Sequence, residues 1–131
     1  MERAFIGLAG LQGFLSVALG AFGAHGLRRV LAGLDDGALR LSWWETAAHY
    51  GRVHALAIAL AAWLVSRGHG GPARLAGVAF AAGSTVFSAT LYAMALGAPR
   101  WLGAVTPLGG VLLLAGWAAV GACSLRTPTI R

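Results

Sequence analysis

Glu45, His49 and Arg52 stand four and three residues apart, and Tyr50 and His54 stand four apart. On a helix those steps put the first three in one stripe and the other two on a neighbouring face. A carboxylate, an imidazole and a guanidinium in one stripe can pair with one another. The same groups can move protons or meet a polar headgroup. His25, Tyr92 and Thr106 complete the set of polar side chains near the ends of long apolar stretches. The histidines admit two cofactor readings. One is a bis-histidine haem site from His25 with His49 or His54, since haem iron accepts axial histidine. The other is a metal site from His25, Glu45 and His49, although no short ligand motif supports it. Proton-coupled transport is a third use, but four helices enclose little pathway, so it would require oligomerisation. No Ser-His-Asp arrangement, phosphate-binding loop or cysteine pair is recognisable, so no residue is assigned as catalytic.

These groups sit in a chain made for a membrane. The stretches 4–24, 75–96 and 102–125 carry no charge, and each is long enough to cross a hydrocarbon layer of about 30 Å. A fourth stretch, 46–65, has the same length but holds His49, Arg52 and His54 in its first half. A charged side chain at mid-membrane costs about 2.5–3.5 kcal/mol on insertion scales. Arg52 lies only about 9 Å along the helix from Thr46, so its long side chain can reach back to the headgroups. His54 is deeper, and is expected to be neutral and hydrogen-bonded.

Composition agrees. Of 131 residues, 58% are hydrophobic and 11% charged, against about a quarter charged in a soluble domain. The net charge of +6 comes from arginines that flank the apolar stretches instead of clustering. That pattern fits membrane edges and argues against nucleic acid as a partner. Cys123 is the only cysteine, so no internal disulfide can form, and its expected role is packing. The leading segment has no net positive charge, and the apolar run behind it outlasts the 7–15 residues typical of a signal core, so an uncleaved first helix is expected.

Within that frame Gly13, Ser16, Gly20 and Gly23 form one small-residue face on the first helix, and Gly77, Ala81, Ser84 and Ser88 form another on the third, continued by Tyr92. Such faces let a second backbone approach closely. Between the first two spans, Leu27, Val30, Leu31 and Leu34 have the spacing of a short amphipathic helix lying in the interface. Trp43 and Trp44 open the second span and Trp63 closes it, as tryptophans at headgroup level do. His69 falls in a tight turn and is expected to be solvated. Thr106-Pro107 admits a helix starting near Thr106, with 102–105 as a loop, or one starting at 102. The expected fold is all-α: four transmembrane helices in an antiparallel bundle, with the interfacial helix between the first two, as one domain over 1–131. Arg3, Arg67, Arg74, Arg126 and Arg131 would flank one side, and Arg28, Arg29, Arg40 and Arg100 the other, a small bias toward cytoplasmic termini.

Antiparallel threading would gather His25, Glu45, His49, Tyr50, Arg52, His54, Tyr92 and Thr106 in one leaflet. They either lock the helices together or line a ligand-binding pocket. At this point the residues also resemble a known family. Gly20-Ala21-Phe22-Gly23-Ala24-His25-Gly26-Leu27 is similar to the signature after the first helix of the domain-of-unknown-function 423 family, which includes transmembrane protein 256. Thr46-Ala47, Tyr50, His54-Ala55-Leu56, Phe87-Ser88, Leu91-Tyr92, Thr106-Pro107-Leu108-Gly109-Gly110 and Gly116-Trp117 resemble its later segments. Arg52 and the Trp43-Trp44 pair are less typical of it. The resemblance implies a four-helix protein of the bacterial inner membrane and no established activity. The expected role is therefore that of a non-enzymatic accessory or binding protein. Its partners would be membrane lipids, another amphiphile, a partner membrane protein or further copies of the chain, with no cofactor required.

Overall fold

The computed structural model describes residues 1–125, and every regular element it shows is helical. Arg126 and Arg131, counted above among the flanking arginines, lie outside the described residues. Helix α1 (Glu2–Phe22) runs without a break through a π-helical turn (Gly23–Leu27) into α2 (Arg28–Leu31). Then come α3 (Gly37–Ser66), α4 (Gly70–Ala95), a 3-10 turn (Arg100–Ala104) and α5 (Thr106–Cys123). Four rods among the described residues are long and apolar enough to cross a membrane: Glu2–Leu31, Gly37–Ser66, Gly70–Ala95 and Arg100–Cys123.

The boundaries follow from local chemistry. α3 starts at Gly37, well before the apolar stretch, because no breaker interrupts 37–66. Its 30 residues give about 45 Å of helix, more than the hydrocarbon layer requires. The segment expected to form an interfacial helix is α-helical only over Arg28–Leu31, where it continues the first rod. Leu27 and Leu31 are buried and Val30 is exposed. α3 and α4 both end on a glycine with positive φ, Gly68 at 88° and Gly97 at 100°. After each, paired N–H groups turn back onto the last free carbonyls: Gly68 and His69 onto Val65 and Leu64, Gly97 and Ala98 onto Met94 and Ala93. That backbone suits glycine because it has no Cβ to clash. α5 starts at Thr106 with Pro107 in its first turn, where a missing N–H costs nothing. The preceding residues are a 3-10 turn, which settles that alternative.

The long interfaces join α1 to α3, α3 to α4, and α4 to α5. Small residues set each one. Gly13 lies against Ala55, Gly20 against Ala48, and Gly23 against Trp44, so the α3 number falls as the α1 number rises. Gly77 leaves room for the Phe5 ring and Gly116 for Phe80. Gly83 and Gly109 bring α4 and α5 together backbone to backbone. The main core surrounds Ile58 and Phe80, both fully enclosed, with Phe5, Ala61, Ala76 and Leu113 about them. A second cluster joins Leu27, Leu31, Trp44 and Ala95 at the other end. Because the rods pair in series, two grooves open beside these seams, one between α1 and α4 and one between α3 and α5.

Candidate functional site

α3 carries most of the polar groups, and its helical turn sends them in different directions. Tyr50 and His54, one turn apart, stack with ring centroids 5.7 Å apart and 21° between planes. Tyr50 also stacks on Phe87 of α4 at 4.3 Å. His54 is 5% exposed and contacts Phe80 at 5.7 Å and Trp117 of α5 edge-on at 6.3 Å. Tyr50, His54, Phe87 and Trp117, with His49, Val53, Pro107, Val111 and Leu114, line a groove of about 620 Å³ between α3 and α5. His54 Nδ1 lies 2.8 Å from the Tyr50 carbonyl oxygen. A carbonyl only accepts, so Nδ1 carries the proton and Nε2 holds a free lone pair in the neutral ring.

The second groove, about 310 Å³, lies between α1 and α4 over Gly51 of α3. Its polar groups belong to a hydrogen-bonded seam. Gln12 donates from Nε2 to the Gly51 carbonyl at 3.0 Å, and its Oε1 lies 2.9 Å from the Ser84 hydroxyl, whose one proton it shares with the Phe80 carbonyl at 2.6 Å. The amide orientation is fixed because the Gly51 carbonyl can only accept. Ser88 donates to the Ala47 carbonyl at 2.9 Å. Tyr92 closes this groove. Its ring meets Trp44 at 4.5 Å, and its hydroxyl oxygen is enclosed with no hydrogen-bond partner among the described residues.

The eight residues singled out from sequence are thus divided. His49, Tyr50 and His54 come together in the α3–α5 groove. Tyr92 belongs to the other groove. Thr106 places its hydroxyl 2.8 Å from that of Thr90 and ties α5 to α4. Arg52 turns to α1, donating from Nη1 to the Ser16 carbonyl at 3.4 Å. Glu45 reaches Arg28 at 3.6 Å in an exposed ion pair, and so does not pair with His49. His25 is exposed on the π-helical turn and makes no hydrogen bond or ion pair among the described residues. No three His, Cys, Asp or Glu side chains stand close enough to hold a metal ion among the described residues. His69, expected to be solvated, is half-buried with Nδ1 enclosed and unpartnered among the described residues.

Sequence reasoning missed Gln12 and the function of Trp44. Gln12 is the lone side-chain amide in an otherwise apolar stretch, which is the signal that could have marked it. Trp44 is 3% exposed and donates from Nε1 to the Leu19 carbonyl at 2.7 Å. It packs into the core instead of facing outward. Gly23 makes room for it, since a Cβ there would stand 2.5 Å from the indole Cδ1.

Outside the spans, Asp36 Oδ2 receives Arg40 Nε at 2.9 Å and Arg100 Nη2 at 3.0 Å. The hydrogen bond from Arg40, then that from Arg100, hold its carboxyl below the usual carboxylate range. Arg100 also lies over the Trp43 ring at 5.8 Å. The cluster fastens the start of α3 to the turn before α5.

The family model described as "protein of unknown function (DUF423)" matches residues 19–110. The chain belongs to this family. Members similar to it along nearly their whole length include a UPF0382 membrane protein of Haemophilus influenzae, 36% identical over 130 residues, covering 99% of this chain and 100% of the relative. The UPF0382 inner membrane protein YgdD of Escherichia coli K12 is 40% identical over 127 residues, 95% of this chain and 93% of its own. The UPF0382 membrane protein YwdK of Bacillus subtilis is 35% identical over 125 residues, 95% and 98%. No solved structure matches. With these relatives and four spanning rods, the chain is an integral membrane protein. The family match takes in the π-helical turn and all eight polar residues above, while Gln12 and Trp117 lie outside it.

Proposed function

We propose that the chain is a non-enzymatic binding protein of the inner membrane whose α3–α5 groove holds an amphiphile. The observation that carries this reading is the groove's polarity. His49 and Tyr50 lie toward the α3 start, His54 lies one turn deeper, and apolar Val111, Leu113 and Leu114 with Trp117 continue along α5. A headgroup would meet the imidazoles and the phenol, and a tail would lie along α5. About 620 Å³ falls within the usual range of about 300–1,000 Å³ for small-molecule sites. The rods cross as an antiparallel bundle in this reading, supported by the falling α1–α3 register. The residues 28–36 then lie at the interface, and both termini are cytoplasmic on the arginine bias. A partner membrane protein or a second copy could contact the exposed α1 face of Ile6, Leu11, Phe14 and Val17 without entering the groove.

The test is photo-crosslinking in native membranes. A benzophenone at position 111, in the groove, should capture a small amphiphile as one defined mass. The same probe at position 56, where Leu56 is 75% exposed, should capture bulk lipid species in proportion to their abundance. Identical adduct mixtures at the two positions would contradict selective binding.

His25 is not among the residues that line the groove holding His49 and His54, so this reading gives the groove to an amphiphile and not to a haem with His25 as a ligand.

A further inference from the structure

We infer that the α3–α5 groove takes the reduced, hydroxyl-bearing ring of a quinol, with His54 Nε2 accepting its O–H. This rests on the amphiphile-binding reading above and names the headgroup. Three observations carry it. First, the lining holds no permanently charged side chain: among the described residues that line the groove there is no Arg, Lys, Asp or Glu. Arg52, two residues before His54, points to α1 instead. An anionic headgroup would find no Arg or Lys there, only the imidazoles of His49 and His54, and a buried unpaired charge is costly. The headgroup is therefore uncharged.

Second, His54 asks for a donor. Its Nδ1–H is committed to the Tyr50 carbonyl. The opposite tautomer would set two lone pairs 2.8 Å apart. Nε2 makes no hydrogen bond among the described residues and is not enclosed, so it presents its lone pair to the groove. A quinol O–H satisfies it. The carbonyl of the oxidised quinone cannot, because it too only accepts. The Tyr50 hydroxyl can donate or accept and serves either form, which leaves His54 as the discriminating group.

Third, the walls are flat rings. Tyr50 stacked on Phe87, the His54 imidazole and the edge-presenting Trp117 bound the polar half of the groove. Aromatic faces favour a planar guest in offset or edge-on contact. A glycerol backbone with a free hydroxyl would satisfy Nε2 but would leave those faces without a ring to meet.

The experiment uses the full chain in lipid nanodiscs, kept anaerobic. A decyl-tailed benzoquinol, its oxidised benzoquinone and dioctanoylglycerol are titrated separately and in competition, with 15N-histidine spectra reporting on Nε2. The quinol should bind about tenfold more tightly than the quinone, the difference one satisfied hydrogen bond makes. It should shift the His54 Nε2 resonance. Dioctanoylglycerol should fail to displace it. His54→Phe keeps a planar ring, and should bind both redox forms alike. Gly110→Leu fills the groove and should bind neither; the Gly110 position has open space, so this variant keeps the packed core. Equal affinity for the two forms in the wild-type chain, tighter quinone binding, or displacement by dioctanoylglycerol would overturn the assignment. If position 111 still captures a defined amphiphile while no quinol binds, the headgroup assignment fails and the binding groove stands. If position 111 captures nothing distinctive as well, both fail.

Discussion

Arg52 and His54 are two residues apart, and on a helix that separates side chains by roughly 200°. One therefore reaches the α1 backbone while the other lines the α3–α5 groove. One stripe was legible, Tyr50 over His54 at a step of four; the other is divided, with His49 beside Tyr50 in the groove, Arg52 on α1 and Glu45 on Arg28. Which neighbour each stripe would meet was not, because that depends on the order in which rods pack. The same limit hid Gln12. Its value lies in reaching Gly51 and Ser84 at once, and both partners come from other helices. Gln12→Leu should lower the stability of the folded chain by about 0.6 kcal/mol, the average for a hydrogen bond between membrane helices, and by no more than about 1.7 kcal/mol. Reversible unfolding in mixed micelles checks this. A stability equal to wild type would mean that the seam contributes nothing.

Among the helices, span number was readable from apolar length, and the end of α4 from Gly97. The start of α3 at Gly37 was not, because its first turns carry polar and charged residues that an apolar-length criterion discards. Adjacent glycines give the sharpest test of the α4–α5 seam. A Cβ at Gly109 would stand 2.6 Å from the Phe87 backbone nitrogen and 2.8 Å from the Gly83 carbonyl oxygen, both unable to swing aside. One at Gly110 meets nothing within 4 Å. Gly109→Ala should thus cost about 1–3 kcal/mol by overpacking. Gly110→Ala should be close to neutral, and thermal melts of the two variants side by side would show it. At the α3 start, the lowered pKa of Asp36 fixes a sign. A depressed carboxylate gives stability that is fully present above its ordinary value of 3.8 and is lost as pH falls through the lower, folded value. Protection from hydrogen exchange in the Arg100–Ala104 turn, relative to the intrinsic rate at each pH, should accordingly fall once pH drops below about 3.8, and Asp36→Asn should show the lower protection already at neutral pH. Unchanged exchange in the variant would show that the arginine clasp does not hold the turn.

Across the whole molecule, the serial packing of rods leaves two grooves and an exposed first helix. Only the first half of that arrangement, four spans with small-residue faces, could be read from the chain itself. Reporter fusions check the orientation: a fluorescent protein at either end should fold and fluoresce in the cytoplasm, whereas alkaline phosphatase at either end should be inactive. The opposite pattern would reverse the membrane orientation and leave the groove untouched. Amphiphile binding requires the α3–α5 groove to be occupied in the membrane. Native mass spectrometry of the chain, released from membranes in polymer nanodiscs without detergent, measures that occupancy directly. Wild type should retain one uncharged amphiphile per chain, and Gly110→Leu, with its fold intact, should lose it. A wild-type chain that carries no defined amphiphile, or a Gly110→Leu chain that carries the same one, would rule out binding in this groove.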